Sequence, residues 1–368
     1  MGMVIFGIDA HKRTHTVVAV DENGRQLDMR TTTQTTTSDH LELVRWADRF
    51  GPERSWAVED CRNLSRRLEA DLLRSGERIV RVPPKLMAHA RDAGRSYGKS
   101  DPIDALAIAR AALREQDLPT AQLDGPAREL RVLIDHREHL VAERTRHINR
   151  LRWHLHEIDP AWDPKPQSLV TDKHLRIIAT RLADTCGVVG AIAQDLVARI
   201  HALTLDIRRV QVEITQRVEP LAPALLAIHG VAAISAAKII GETAGIGRFY
   251  SRHAFARHNG TAPLPVWSGN QRRHRLSRVG NRQLNAALHR IAVTQSRSHP
   301  EAIAYLERRV GTGNTRTEAI RALKRRLSDV VYRALVEDEN TARARGELVG
   351  FDSVTLAVEM STAHAATA

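Results

Sequence analysis

Cysteine is nearly missing from this chain: Cys61 and Cys186 are its two thiols in 368 residues, and no CxxC pattern occurs. That excludes a disulfide framework and a cysteine-ligated zinc centre, and leaves both thiols as expected packing residues. No unbroken apolar run approaches the ~20 residues needed to cross a bilayer. The opening Met3-Val4-Ile5-Phe6-Gly7-Ile8 looks like a core strand, not a secretory signal with a small-residue cleavage site. A cytoplasmic location with no membrane partner is therefore expected. Lysine is scarce too, since arginine supplies 48 of the 55 cationic residues. Acids are absent altogether from Thr243 to Pro300, a stretch that carries ten arginines, among them Arg272, Arg273, Arg275 and Arg278.

What is present fits those absences. A hydrophobic share of 42% over 368 residues can fill two or three domain cores. The formal charge of +12 attracts polyanions. Ordinary solvated surfaces interleave both signs, so a one-sign arginine stretch points to phosphate oxygens, which the planar guanidinium fork matches.

Three short β patterns open the chain, at residues 4–9, 14–20 and 25–30, with Glu22-Asn23-Gly24 as a tight turn. Ser38-Asp39 offers an N-cap to a helix through Leu41 and Trp46. A strand over 55–59, a helix over 64–73, a strand over 78–82 and a helix after Pro102 follow. This order predicts one mixed α/β sheet. From about Ala127 to Val218 apolar residues recur at helical spacing among charges, interrupted by Asp159-Pro160-Ala161-Trp162-Asp163-Pro164. An antiparallel helical hairpin or coiled-coil arm is expected, an ordinary helical subdomain being the alternative. Leu225 to Val231, with Gly230 at its turn, followed by Ala236, Ile239 and Ile240, has the pattern of a helix-hairpin-helix whose backbone N–H groups would meet a phosphate.

Four carboxylates stand out. Asp9 closes the first strand and Glu59 closes Trp56-Ala57-Val58, so adjacent parallel strands would bring both to one sheet edge. Asp101 and Asp104 share a helix face near its N-terminus. Asp60 competes with Glu59, because strand alternation sends the two to opposite faces and only one of them would reach a shared cation. Converging acids repel unless a cation lies among them, and hard oxygen ligands suit Mg²⁺ or Mn²⁺. Taken singly, each acid also has a structural role to play, Asp101 as an N-cap before Pro102 and Asp9 as a strand end. Lys12 and Lys99 flank the acids and are candidate phosphate contacts. Ser268 is expected in a glycine-flanked loop just ahead of the arginine cluster, with Ser277 a second candidate hydroxyl; such a group can attack phosphorus when helped to lose its proton.

Together, Gly7-Ile8-Asp9-Ala10-His11-Lys12, Val58-Glu59, Lys99-Ser100-Asp101-Pro102-Ile103-Asp104-Ala105, the hairpin from Leu225 and the run from Gly260 to Asn281 resemble the DEDD transposases of bridge-RNA-guided insertion sequences. The resemblance runs from about residue 4 to 325, and departs from the family where Asp60-Cys61-Arg62 follow Glu59. It implies a ribonuclease H-like, Holliday-junction-resolvase-like catalytic domain over 1–120 and a helical coiled-coil arm over 121–220. A transposase domain with helix-hairpin-helix and catalytic serine would cover 221–335. The tail over 336–368, which passes through Glu337-Asp338-Glu339-Asn340, lacks a clear amphipathic pattern and is expected to be loosely ordered. The resemblance further implies two Mg²⁺ (or Mn²⁺) ions held by Asp9, Glu59, Asp101 and Asp104, and a covalent phosphoserine at Ser268. Lys12, Lys99, Gly230, Arg272, Arg273, Arg275 and Arg278 would bind nucleic acid. The implied partners are donor and target double-stranded DNA, a structured noncoding guide RNA, and further copies of the chain as a dimer or tetramer. A structure-specific nuclease using water, and a non-catalytic nucleic-acid-binding protein, are the alternatives.

Overall fold

The structure is a computed structural model that describes residues 2–59, 64–83, 86, 100–115, 118, 120–121, 125–268, 271–275 and 280–345. It divides into two compact units, Met1–Gly125 and Pro126–Ala368.

The first unit is built on a five-stranded sheet. Its elements are β1 (Val4–Ala10), β2 (His15–Val20), β3 (Gln26–Thr31), α1 (Thr37–Ala47), β4 (Arg54–Glu59), α2 (Arg66–Arg74), β5 (Ile79–Val82) and α3 (Asp101–Arg114). Strand order is β3-β2-β1-β4-β5. The first three strands pair antiparallel, while β1–β4 and β4–β5 are parallel, the mixed sheet that the strand order in the sequence predicts. Both faces of the central strands are covered, so β1 is buried along its whole length and reads as a continuous apolar run. Phe6, Ile8, Trp56 and Val58 face one core with Leu43, Trp46, Leu68 and Leu72, where Phe6 stacks on Trp56 at 4.6 Å between ring centroids. Ile5, Val18, Ala57, Val80 and Val82 face the other core, against Ala105, Ile108 and Ala109 of α3. Thr36, not Ser38, caps α1, its hydroxyl accepting from the Asp39 N–H.

The second unit begins with α4 (Pro126–Ile158), α5 (Asp172–Ala183) and α6 (Val188–Leu221). The proline-rich break at 159–166 therefore leads to a short helix before the long return helix. Leu130 and Ile134 of α4 meet Ile214 and Val218 of α6 at one end, and Ile148, Leu151 and Leu155 meet Leu196 and Ile200 at the other. Among the described residues α6 is the one helix long and apolar enough to cross a membrane by length and composition, with 33% of its most apolar window buried inside the protein. Asp195 and Arg199, paired at 2.8 Å, interrupt its sequence, which is why no unbroken run marks it.

The unit continues with α7 (Pro223–Leu226), α8 (Ala233–Thr243), α9 (Arg252–His258), β6 (Leu264–Ser268), β7 (Gln271–Arg275), α10 (Arg282–Ser298), α11 (Pro300–Gly311) and α12 (Arg316–Ala344). Two expectations change here. The tail expected from residue 336 is helical to Ala344, because Asp338 is buried and accepts from the backbone N–H groups of Ala224 and Leu225 at 2.8 and 3.1 Å, the orphan donors that open α7. Cys186 is exposed, so it is not a packing residue; Cys61 lies outside the described residues.

Candidate active site

The geometry starts at Gly7. A Cβ added there would lie 2.1 Å from the Ala105 carbonyl oxygen and 2.5 Å from the Ala109 nitrogen, so only glycine lets α3 approach β1 this closely. That approach brings the first turn of α3 to the C-terminal end of β1, where Asp9 sits. Ser100 occupies the N-cap position, Asp101 is the first helical residue and Pro102 follows it, one step along from the cap expected at Asp101. Asp101 is half exposed while Asp104, one turn on, is buried.

Glu59 reaches the same edge by register. Ile8 pairs with Val58 across parallel strands, so Asp9 and Glu59 are the next residues of each. Alternation then puts both on the face that Ala57 and Val82 share with α3, opposite to the Trp56–Val58 face. Asp60 is outside the described residues.

His11 joins this group. It opens the turn between β1 and β2, its N–H bonded to the Thr14 carbonyl at 3.0 Å, and its Nε2 lies 3.1 Å from Asp9 Oδ2 and 3.3 Å from Asp101 Oδ1. Asp9, His11 and Asp101 each offer a ligand atom within 4.8 Å of the others. Burial pushes the Asp9 carboxyl above its usual range; His11 opposes that, and the charges of Asp104 and Asp101 add to it. An acid held among acids in a desolvated strand end is stabilised by a cation, and carboxylate oxygens with one imidazole suit Mg²⁺ or Mn²⁺. The residues present thus fit a divalent metal. The sequence pattern around Asp9 contains His11, but a residue two past a strand end has no periodicity to place it, and only the turn shows where it goes. Lys12 is exposed in that turn; Lys99 is outside the described residues.

In the second unit the stretch expected as a loop around Ser268 is a hairpin. Ser268 ends β6 and pairs with Gln271, Trp267 with Arg272, Val266 with Arg273, and Leu264 with Arg275. Ser268 is therefore the last ladder residue before the two-residue tip. The hairpin springs from a tightly built base. A Cβ on Gly280 would lie 2.3 Å from the Gly260 nitrogen, so the two chain ends touch backbone to backbone. Buried Asn259 accepts from the Thr261 N–H and hydroxyl and donates to Ser328 Oγ at 2.8 Å. Asn281 donates to Glu242 Oε2 at 2.6 Å, and Lys324 donates to Asn285 Oδ1 at 2.8 Å. Ser277 and Arg278 lie outside the described residues. Gly230 adopts a φ of 83° ahead of α8, with its α-carbon facing Thr294 of α10. The helix before it spans four residues, short for a helix-hairpin-helix.

Residues 6–160 match a DEDD family described as "Transposase", and residues 222–307 match "Transposase IS116/IS110/IS902 family". The "Insertion element IS116 uncharacterized 44.8 kDa protein" of Streptomyces clavuligerus is 30% identical over 90% of this chain and 94% of its own length. The "Insertion element IS900 uncharacterized 42 kDa protein" of Mycobacterium paratuberculosis is 27% identical over 89% of this chain and 94% of its own. Among solved structures, a chain titled "T. thermophilus RuvC in complex with Holliday junction substrate" covers 32% of this chain and 99% of itself at 18% identity, with a TM-score of 0.26. With both family matches in sequence order and an insertion-element relative aligned almost end to end, the chain belongs to the IS110/IS116/IS902 family of insertion-element transposases.

Proposed function

We propose that the chain cuts and rejoins DNA for an insertion element through a serine-linked intermediate, using the β1–β4 edge as its metal site and Ser268 as its nucleophile. The observation that carries the metal part is the gathering of Asp9, Asp101 and Asp104 at one strand end, with Glu59 in register beside Asp9. Asp9, Glu59, Asp101 and Asp104 would hold two Mg²⁺ or Mn²⁺ ions, with His11 within reach of the same position. When bound, such ions offset charge on the attacking and leaving oxygens of a phosphodiester.

The chain's own residues supply the rest. The Ser268 hydroxyl oxygen bonds to phosphorus as the P–O bond to one strand breaks, leaving a free sugar hydroxyl that takes up the proton. Attack by a hydroxyl of a different strand reverses the step, so phosphoester bonds are conserved and no nucleotide triphosphate is consumed. Lys12, Lys99, Arg272, Arg273, Arg275 and Arg278 would hold phosphates, as would the turn at Gly230. The acid-free arginine stretch supports a nucleic-acid surface there. A structured guide RNA would choose the DNA sites, and the working form would be a dimer or tetramer inside the cytoplasm.

Cleavage of element-end duplexes with and without Mg²⁺ tests the assignment. The parent is expected to cut only with the ion, Asp9→Asn to lose at least a hundredfold in rate, and Ser268→Ala to bind DNA undiminished without cutting it. Cutting by Ser268→Ala would move the reaction to water, and the absence of any metal-dependent cutting by the parent would leave a binding protein.

A further inference from the structure

The β6–β7 hairpin that ends at Ser268 has little to set its direction except its base. Among the described residues its two strands pair with each other and make no extensive contact with any other helix or strand. A two-stranded ribbon is marginal on its own, so the residues at its foot aim it. From Leu264 to Ser268 the strand extends about 13 Å at about 3.3 Å per residue, and a tilt of about 5° at the foot shifts Ser268 by about 1 Å. A misplacement of that size costs about a hundredfold in the rate of a reaction that depends on alignment.

One ammonium stands behind that foot. Lys324 of α12 is 7% exposed and donates to Asn285 Oδ1 at 2.8 Å. Asn285 Nδ2 donates in turn to the carbonyl of Asn259 at 2.7 Å, immediately before the point where Gly260 and Gly280 touch. One turn along α12, Ser328 receives the Asn259 side chain at 2.8 Å, so α12 grips the entering leg twice. Asn285 is thus an amide set between a group that only donates and a carbonyl that only accepts, and a single orientation satisfies both. The bond from the ammonium is charge-assisted and the stronger of the two. Without it the Asn285 oxygen loses that donor, and the amide gains freedom to turn from Asn259 toward water.

This arrangement costs stability. Among the described residues no carboxylate forms an ion pair with Lys324, and burial, then the charge of Arg321, lower its pKa. Burial, then Lys324, lower that of His289, so the neighbouring charges are cations as well. An apolar side chain of similar length would avoid the desolvation and the repulsion. What the charge supplies is direction, through the amide it holds.

We propose that Lys324 is a positioning residue that aims the β6–β7 hairpin, and with it Ser268, by holding the Asn285 amide against the Asn259 carbonyl. Its effect on cutting rests on the reading of Ser268 as the nucleophile; its effect on the hairpin rests on the hydrogen bonds alone.

The test is a double-mutant cycle in the full chain, with Lys324→Met, Asn285→Ala and the two combined. Single-turnover cutting of element-end duplexes at saturating DNA in Mg²⁺ should fall about a hundredfold in each single variant and no further in the pair, because both act through one series of hydrogen bonds. Duplex affinity should stay parental throughout. The thermal midpoint of Lys324→Met should equal or exceed the parent's, since a buried cation without a counter-ion has been removed. Hydrogen–deuterium exchange of the DNA-free protein should speed up in Lys324→Met at the amides of Thr261 and Asn281, which are bonded to the Ala256 and His258 carbonyls at 3.0 and 2.7 Å, and should stay parental in Ser268→Ala. Cutting by Ser268→Ala together with faster exchange in Lys324→Met would refute the serine reading and uphold the positioning of the hairpin. With Ser268→Ala inactive, parental cutting by Lys324→Met, losses that multiply in the pair, a lowered thermal midpoint in Lys324→Met, or parental exchange at those amides would overturn the proposal.

Discussion

Asp9 and Glu59 are legible in the sequence because a strand has a two-residue period: once β1 and β4 are adjacent and parallel, the polar residue ending each apolar run goes to the same edge and face. Asp101 and Asp104 are legible for the corresponding helical reason. His11 is not, nor is the pair behind it. His15 and His40 are both buried with rings 5.3 Å apart, and His40 Nδ1 lies 2.7 Å from Asp71 Oδ2. A strand-facing histidine looks like any other half-polar strand residue until α1 covers it. Burial, then the charges of His40 and His11, lower the His15 pKa to about 4 from its ordinary 6.5. A depressed imidazole favours the folded state while neutral. Its stabilisation is complete above about pH 6.5 and is lost as pH falls through about 4, amounting to at most about 3 kcal/mol. Urea unfolding followed from pH 7 to pH 4 should show this decline, and His15→Gln should flatten it. His258 of the second unit, lowered to about 3, bends the curve in the same direction, so a residual slope remains.

At the scale of elements, the five-strand sheet and the two long helices follow from periodicity, and the misread elements fail for identifiable reasons. The hairpin β6–β7 hides behind Pro263 and Pro265, which look like loop signals, and behind a strand composed mostly of arginine, glutamine and histidine. The end of α12 hides because Glu337-Asp338-Glu339-Asn340 looks like a solvated charge run. Instead Asp338 caps α7 and Glu339 accepts from the Ile246 N–H at 3.0 Å. The docking of α3 on β1 is the element contact on which the proposed metal edge depends, since α3 carries two of the four acids. Gly7→Ala forces a methyl into the Ala105 carbonyl and the Ala109 nitrogen, neither of which is a flexible side-chain end. We expect a loss of roughly 3 kcal/mol or more in stability, with Mg²⁺-dependent cutting lost in parallel. Thermal melts beside cleavage assays check this. A Gly7→Ala chain that melts like the parent and still cuts would show that the close approach is not needed.

For the whole molecule, the acids and Ser268 belong to different compact units of one chain. If the working form is an oligomer in which the acids of one copy meet the serine of another, two inactive variants should rescue each other. Mixed Asp9→Asn and Ser268→Ala proteins should then recover a sizeable fraction of parental strand exchange, read on labelled element-end duplexes. No recovery from a mixture shown to co-assemble would confine the reaction to a single copy.

In the proposed reaction, phosphate passes through Ser268. Mass spectrometry of protease digests taken from a Mg²⁺ reaction on a nicked, self-trapping DNA substrate tests it most directly. A nucleotide mass is expected on the peptide spanning β6 and β7, localised to Ser268 and absent from Ser268→Ala and from Asp9→Asn. Cut DNA carrying an oxygen from labelled water, with every serine peptide unmodified, would contradict it.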